Sequence, residues 1–312
     1  MKKNGPEASS APVGNIVVLE RGWLSSNSIL ICGRESAALI DSGYCTHAGQ
    51  TLALVDAALE GRPLDVLVNT HLHSDHCGGN AALQNRYPNL RTLIPPGLSQ
   101  HVQTWNPEVL MFTPIGQSCP PFRFDAVLQP TTDLLLGDQL WQVHAAPGHD
   151  PHSVILFEPV SRVLVSADAL WENGFGVVFP ELEGADAFDH VAKTLDLIES
   201  LAPQRVIPGH GAAFSDVASA LAVARKRLAG FVANPVKHSQ YAAKVLLKFK
   251  LLEVQRMDES AFMSWVLATS YFKLIHCNYF DGLDFSEWID QLILDLVKSG
   301  AASRGDGLIR NA

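Results

Sequence analysis

Six consecutive positions, His71 to His76, hold three histidines and an aspartate, within the stretch NTHLHSDHCGG from Asn69 to Gly79. Directly before them runs Asp65–Asn69 (DVLVN), a short apolar segment of the buried-strand kind. In extended backbone residues i and i+2 point the same way, so His71 and His73 present two imidazoles on one side of the strand's end. Asp75 and His76 fall where the chain must turn, ahead of two glycines that allow a tight bend, and aim at a second point close by. Two surface histidines would be commonplace. Four ligand-type side chains in six positions restrict the chain to a fold that exposes functional groups at one edge of a sheet.

Three more segments repeat that placement. Ala146-Pro147-Gly148-His149, Ser166-Ala167-Asp168 and Pro208-Gly209-His210-Gly211 each put an ionisable side chain at a turn or directly after a β-rich run. Around them, short strands are expected at Ile16–Leu19, Ser28–Cys32 and Ser36–Ile40, then a helix over Gln50–Glu60 stopped by Gly61 and Pro63. Asn80–Tyr87 reads as a short helix, Leu93–Ile94 as a strand, and Val154–Phe157 with Val163–Ser166 as a hairpin. Asp186–Leu201 has Phe188, Val191, Leu195 and Ile198 on one stripe, with Asp186 as the expected cap, and Arg205–Ile207 gives a last strand. Pro95–Pro130 is long and without periodicity; its Trp105, Phe112, Phe122 and Phe124 either line a pocket or anchor the segment on the core. From about Ser215 strand signals vanish, and Ser239–Leu252 and Asp258–Phe280 look helical.

The motifs HLHSDH, PGH, SAD and PGHG, in that order, resemble those of the metallo-β-lactamase fold superfamily, over about Ile16 to Phe214. The resemblance implies an α/β fold, a four-layer αββα sandwich, with a C-terminal helical extension of possible winged-helix-like form. The division expected is a disordered tail (1–14), a metallo-β-lactamase fold domain (15–234) and a C-terminal helical domain (235–312), with the boundary at Asn234-Pro235. It implies that His71, His73 and His149 hold one metal, that Asp75, His76 and His210 hold a second, and that Asp168 bridges them with a water or hydroxide. Zinc is the first expectation for the two divalent ions, with iron or manganese as alternatives. Two such ions ~3.5–4 Å apart bring the pKa of a bridging water toward ~7 and polarise a substrate oxygen. Asp75 is the candidate catalytic carboxylate, positioned to orient that hydroxide and take up its proton. An aspartate at 168 and a histidine at 76 match the two-metal hydrolases of the glyoxalase II-like group, and depart from the β-lactamases that use a cysteine ligand there.

The rest of the composition narrows the function classes. A net charge of -9 disfavours a general binder of nucleic acid or anionic membrane. Five widely spaced cysteines suit reduced thiols better than a disulfide framework, and the early residues carry no apolar block, so a soluble cytoplasmic protein with no membrane partner is expected. Between Arg225 and Arg256 eight basic residues stand against one acid, Glu253, a local exception read first as solvated helix faces. Cys77 reads as a small buried thiol, His152 as a local hydrogen-bonding group, and Asp41 as a support for a ligand loop. Trp171 and Phe175 are candidates for a pocket wall or for core. The expected activity is hydrolysis of a small ester, thioester or lactone, although no glutathione-binding pattern is recognisable. The alternatives are a nuclease acting on RNA or single-stranded DNA through the basic run, and an iron-dependent persulfide dioxygenase. The expected partner is a small-molecule substrate, with a homodimer admitted.

Overall fold

The computed structural model describes residues 15–312; the expected disordered tail, residues 1–14, lies outside the described residues. Two sheets stack face to face. The first has six strands in chain order, Ile16–Leu19, Ser28–Cys32, Ala37–Ile40, Val66–Val68, Arg91–Ile94 and Ala126–Val127, antiparallel at its start and parallel from Ala37 onward. The second runs Arg205–Pro208, Val163–Ala167, Val154–Glu158, Gln139–Ala145, Asp133–Leu136.

The two-residue period of a strand explains the layering. Ile29, Ile31, Ile40 and Val68 point inward and meet Trp141, Val143, Leu156 and Val165 of the second sheet. Leu30, Leu39 and Leu67 point outward and are covered by Val55 and Leu59 of the helix Ala48–Leu59 and by Leu83 of the helix Asn80–Arg86. On the far side, Ile155, Leu164 and Val206 are covered by the helices Ala187–Leu201 and Val217–Ala233. The result is the expected αββα sandwich. Every residue of the Phe188, Val191, Leu195, Ile198 stripe is buried, as its spacing predicts.

Several local expectations are corrected. Asp186 makes no side-chain cap; Glu181 reaches across instead, its carboxylate accepting from the Ala187 and Phe188 N–H groups. The segment Pro95–Pro130 contains a helix, Ser99–Thr104, and the strand Ala126–Val127. Its aromatics belong to core, since Phe112 and Phe122 are buried and Trp105 and Phe124 pack against them.

Beyond Asn234, whose side chain accepts from Lys237 N to cap the helix Pro235–Val254, the chain is mainly helical. Strands do occur there, contrary to expectation: Ala302–Gly305 and Leu308–Asn311 form a hairpin joined by Arg256–Asp258. Its Asp306-Gly307 turn, both residues at positive φ, is a readable hairpin signal. The expected helix Asp258–Phe280 is two, Glu259–Ala268 and Ser270–Tyr279, broken at Thr269 where Tyr271 N donates to Pro114 O instead of continuing the first helix. A further helix, Phe285–Lys298, carries the most amphipathic pattern in this part of the chain and buries Trp288, Ile289 and Leu292. None of the described helices is long and apolar enough to cross a membrane.

Candidate metal centre

The strands Val66–Val68, Val163–Ala167 and Arg205–Pro208 end at the same edge of the sandwich, and backbone bonds knit the two sheets there. Val154 N donates to Thr70 O (2.9 Å) and Asn27 N to Gly209 O (2.7 Å). At this edge the four motifs converge. His71, His73 and His149 form one group of potential ligands, and Asp75, His76, Asp168 and His210 form another, each with one ligand atom within 4.8 Å of the others. All seven residues singled out in the sequence are present in these two groups.

Asp168 links them. Its Oδ2 lies 3.4 Å from His149 Nε2 in the first group, while its Oδ1 lies 3.4 Å from His76 Nε2 and 3.8 Å from His210 Nε2 in the second. Gly209 makes this possible, because a Cβ there would stand 2.2 Å from Asp168 Oδ1. Gly176 does the same for His149, whose Nδ1 a Cβ would meet at 2.4 Å. Ala167, just before the aspartate, and Asp41 both hold left-handed backbone, φ 46° and 57°, a strain that surrounding structure must sustain.

Three of the five imidazoles, those of His71, His76 and His149, are held by a hydrogen bond on the outer side. Asp41 Oδ2 accepts from His76 Nδ1 (2.8 Å) and from Thr70 Oγ1 (2.7 Å). With its one proton spent on Asp41, the Thr70 hydroxyl accepts from His71 Nδ1 (3.2 Å). His149 Nδ1 donates to Val177 O, and His73 Nε2 faces Asp150 Oδ2 at 3.9 Å. Asp41 therefore supports the ligand loop as expected, whereas Asp150 was not read as a participant although it follows His149 directly. Ring nitrogens left over point inward, toward one another. His71 Nε2 and His76 Nε2 are buried without a partner, and His73 Nδ1 sits 2.8 Å from His149 Nε2. Buried polar atoms left unpaired are costly, and converging lone pairs are what divalent cations require. The donor set fits two such ions.

The electrostatics are those of a site divided by its carboxylates. Burial, then the neighbouring imidazoles, hold His71 well below the usual histidine range, and burial with His149 brings His73 down to about 4. Burial opposes charge on His76 too, but Asp168, Asp41 and Asp75 outweigh it and carry His76 well above that range. Burial alone would raise the two aspartates; His76 and His210 bring Asp75 down, and His210, His76 and His149 hold Asp168 well below the carboxylate range.

Above the cluster opens a cavity of about 280 Å³, whose floor includes His73, Asp75, His149, Asp168 and His210. Trp23 stacks on His210 with ring centroids 5.3 Å apart and meets Trp171 edge-on at 5.3 Å. Trp171 Nε1 donates to Asp168 Oδ1 (3.2 Å), so Trp171 is a wall residue, while Phe175 is core. The His152 ring packs over Gly97 and stays out of the cavity, and Cys77 is a buried thiol raised by that burial, its Sγ 3.8 Å from Cys119 Sγ. All five cysteines are free. Trp23, Gln117 and Phe179 were not foreseen, since the first two come from loops and the third opens the short helix Phe179–Leu182, none of which carries a ligand motif.

Residues 21–210 match the family model of the metallo-beta-lactamase superfamily. The chain belongs to this superfamily. It is 28% identical over 225 residues to the human protein named acyl-coenzyme A thioesterase MBLAC2, covering 62% of this chain and 76% of that one. With a hydroxyacylglutathione hydrolase of Anaeromyxobacter dehalogenans it shares 31% identity over 207 residues, 64% of this chain and 69% of that protein. Among solved structures, a metallo-beta-lactamase family protein of Thermus thermophilus superimposes with a TM-score of 0.59 at 17% identity, over 96% of this chain and 99% of that one. That likeness is one of fold, and it extends through the C-terminal region. The superfamily's match ends at the last candidate ligand, His210.

Proposed function

We propose that this metallo-beta-lactamase superfamily member is a hydrolase that uses two divalent metal ions, zinc first, to cleave acyl thioesters and related small esters. The observation that carries the reading is Asp168 facing one ligand group with each of its oxygens, at the floor of a substrate-sized cavity. His71, His73 and His149 would hold one ion, Asp75, His76 and His210 the other, with Asp168 shared. Ions held there supply an activated water at neutral pH and a Lewis acid for the substrate carbonyl. The relatives named as an acyl-coenzyme A thioesterase and a hydroxyacylglutathione hydrolase support a thioester substrate.

The chain's own residues do the remaining work. Asp41, Thr70 and Val177 O hold the outer ring nitrogens of His76, His71 and His149, so that the opposite nitrogen of each is the one turned toward an ion. Asp75, at the cavity floor with Oδ2 3.1 Å from His210 Nε2, is the carboxylate that takes up the proton of the attacking water. Trp23 and Trp171 cover the His210 side and reduce access of bulk water, which strengthens electrostatic stabilisation inside.

The basic run gives little support to nucleic acid as substrate. Arg225 pairs with Asp196 and Glu199, Lys244 with Asp295 and Lys250 with Glu253, and Arg227 lies over Tyr241. The test is metal content by plasma mass spectrometry, together with thiol release from an acyl thioester. About two divalent ions per chain, with turnover lost on chelation and restored on reloading, are expected. One iron per chain and oxygen consumption with a persulfide would overturn the reading in favour of a dioxygenase.

A further inference from the structure

The helix Pro235–Val254 is apolar on two faces, which is more than a surface helix needs. One face, with Ala242, Ala243, Leu247 and Leu251, is buried in the C-terminal core. The other carries Tyr241, Val245, Phe249 and Leu252, spaced i, i+4, i+8 and i+11, and these half-buried side chains form one wall of the cavity above the metal centre. Across from them stand Ile115, Val177 and Phe179. A second apolar stripe that the core leaves partly uncovered, and that begins where the metal-ligand cluster ends, is a surface kept for an apolar part of the substrate.

The charge of this wall is equally informative. Its one cation, Lys248, has its ammonium committed away from the cavity, donating to Ala301 O (2.6 Å), Asn311 Oδ1 (2.6 Å) and Ala312 O (3.1 Å). All three N–H donors are spent, so only the methylenes of Lys248 face the cavity. An acyl group ending in a carboxylate would be desolvated there with no free cation of the wall beside it.

The geometry points to this chamber as the acyl-binding subsite, with the helix Pro235–Val254 as the element that selects neutral, medium-chain acyl groups and rejects acyl groups ending in a carboxylate. The inference rests on the hydrolase reading for its turnover readout. In hydrolysis the thioester C–S bond breaks, water supplies the oxygen of the new carboxylic acid, and the thiol leaves with a proton; the acyl chain would lie along Val245, Phe249 and Leu252 throughout.

The experiment uses the full-length, metal-loaded protein and N-acetylcysteamine thioesters, a neutral carrier that leaves the acyl group as the only variable. The kcat/KM for acetyl, butanoyl, octanoyl and succinyl substrates is compared. It is expected to rise about two- to fourfold per methylene up to octanoyl, as buried methylenes do, and to be at least about tenfold lower for succinyl than for butanoyl. In Val245→Trp, which fills the chamber, the octanoyl-to-acetyl ratio should fall at least about tenfold. In Phe249→Ala, which enlarges it, the preferred chain should lengthen. A ratio within one protein is insensitive to the fraction folded.

Binding is measured separately, by calorimetry with the uncleavable ketones in which methylene replaces sulfur. Chain-length-dependent binding without any turnover would sink the hydrolase reading and leave the subsite standing. Binding and kcat/KM flat across acetyl to octanoyl, or a preference for succinyl, would overturn the subsite.

Discussion

The cavity has a floor and a wall built on opposite principles. The floor is a cluster of seven ionisable side chains in the loops that follow strands and in the short helix Ser74–Cys77, held by glycines and, in part, by outer partners at hydrogen-bond distance. The wall is one stripe of a long helix, apolar and positioned by packing, Phe249 edge-on to Tyr44 and Tyr241 beneath Arg227. Floors of this kind set the reaction, because ligand atoms must sit within tenths of an ångström. Walls set the substrate, because burial of apolar area is non-directional and tolerates repacking.

The comparison breaks if floor and wall substitutions have equal effects. At the floor, His71→Ala or Asp168→Asn should lower kcat/KM by at least about a thousandfold toward every acyl chain and reduce metal content per chain. Next in size is Asp41→Asn, which weakens the hold on the His76 and Thr70 pair; a ten- to hundredfold loss of metal affinity is expected in competition with a chelator. A wall substitution such as Leu252→Ala should cost less than about tenfold, and should act on KM for the octanoyl substrate more than on kcat. Equal loss for acetyl and octanoyl in that variant would mean that the wall is part of the catalytic floor.

A last effect lies outside both, in stability rather than turnover. His238 is buried in the helix Pro235–Val254 with Nε2 accepting from Val178 N (3.1 Å), and burial, followed by the charge of Arg227, lowers its pKa to about 4. The folded state keeps the ring neutral. Its contribution to stability is therefore complete above the unfolded value near 6.5 and is lost as pH falls toward 4, on the order of 3 kcal/mol at most. In His238→Gln, which retains an acceptor but does not titrate, the thermal midpoint should fall less steeply between pH 6.5 and 4 than in the parent; parallel curves would contradict this.

The floor was legible because its constraints are local. His71, His73, Asp75 and His76 are adjacent in the chain, and His149, Asp168 and His210 each follow a β-rich run in a Gly/Pro turn or at a strand end, so type and spacing together imply the chemistry. Asp41 was legible in the same way, as the last residue after a strand. The wall was not. Tyr241, Val245, Phe249 and Leu252 read as an amphipathic stripe, but periodicity reports only that a face is apolar, and a core-facing stripe has the same signature. The aromatics of Pro95–Pro130 show the converse, with equal claim to a pocket in the sequence and a place in the core in the fold.

From the sequence alone came the order of short strands and covering helices and, through the resemblance carried by its four motifs, the expected αββα sandwich and the seven candidate metal-ligating side chains. Only the tertiary structure decided that Asp168 divides its oxygens between two groups, that Glu181 rather than Asp186 caps the helix Ala187–Leu201, and that a helix more than 160 residues beyond the HLHSDH motif closes the cavity over it. The physical reason is range. Ligand spacing, turns and periodicity act over a few residues, whereas which apolar face meets which is settled by long-range packing, where many partners of similar hydrophobicity compete and the assembled shape selects among them.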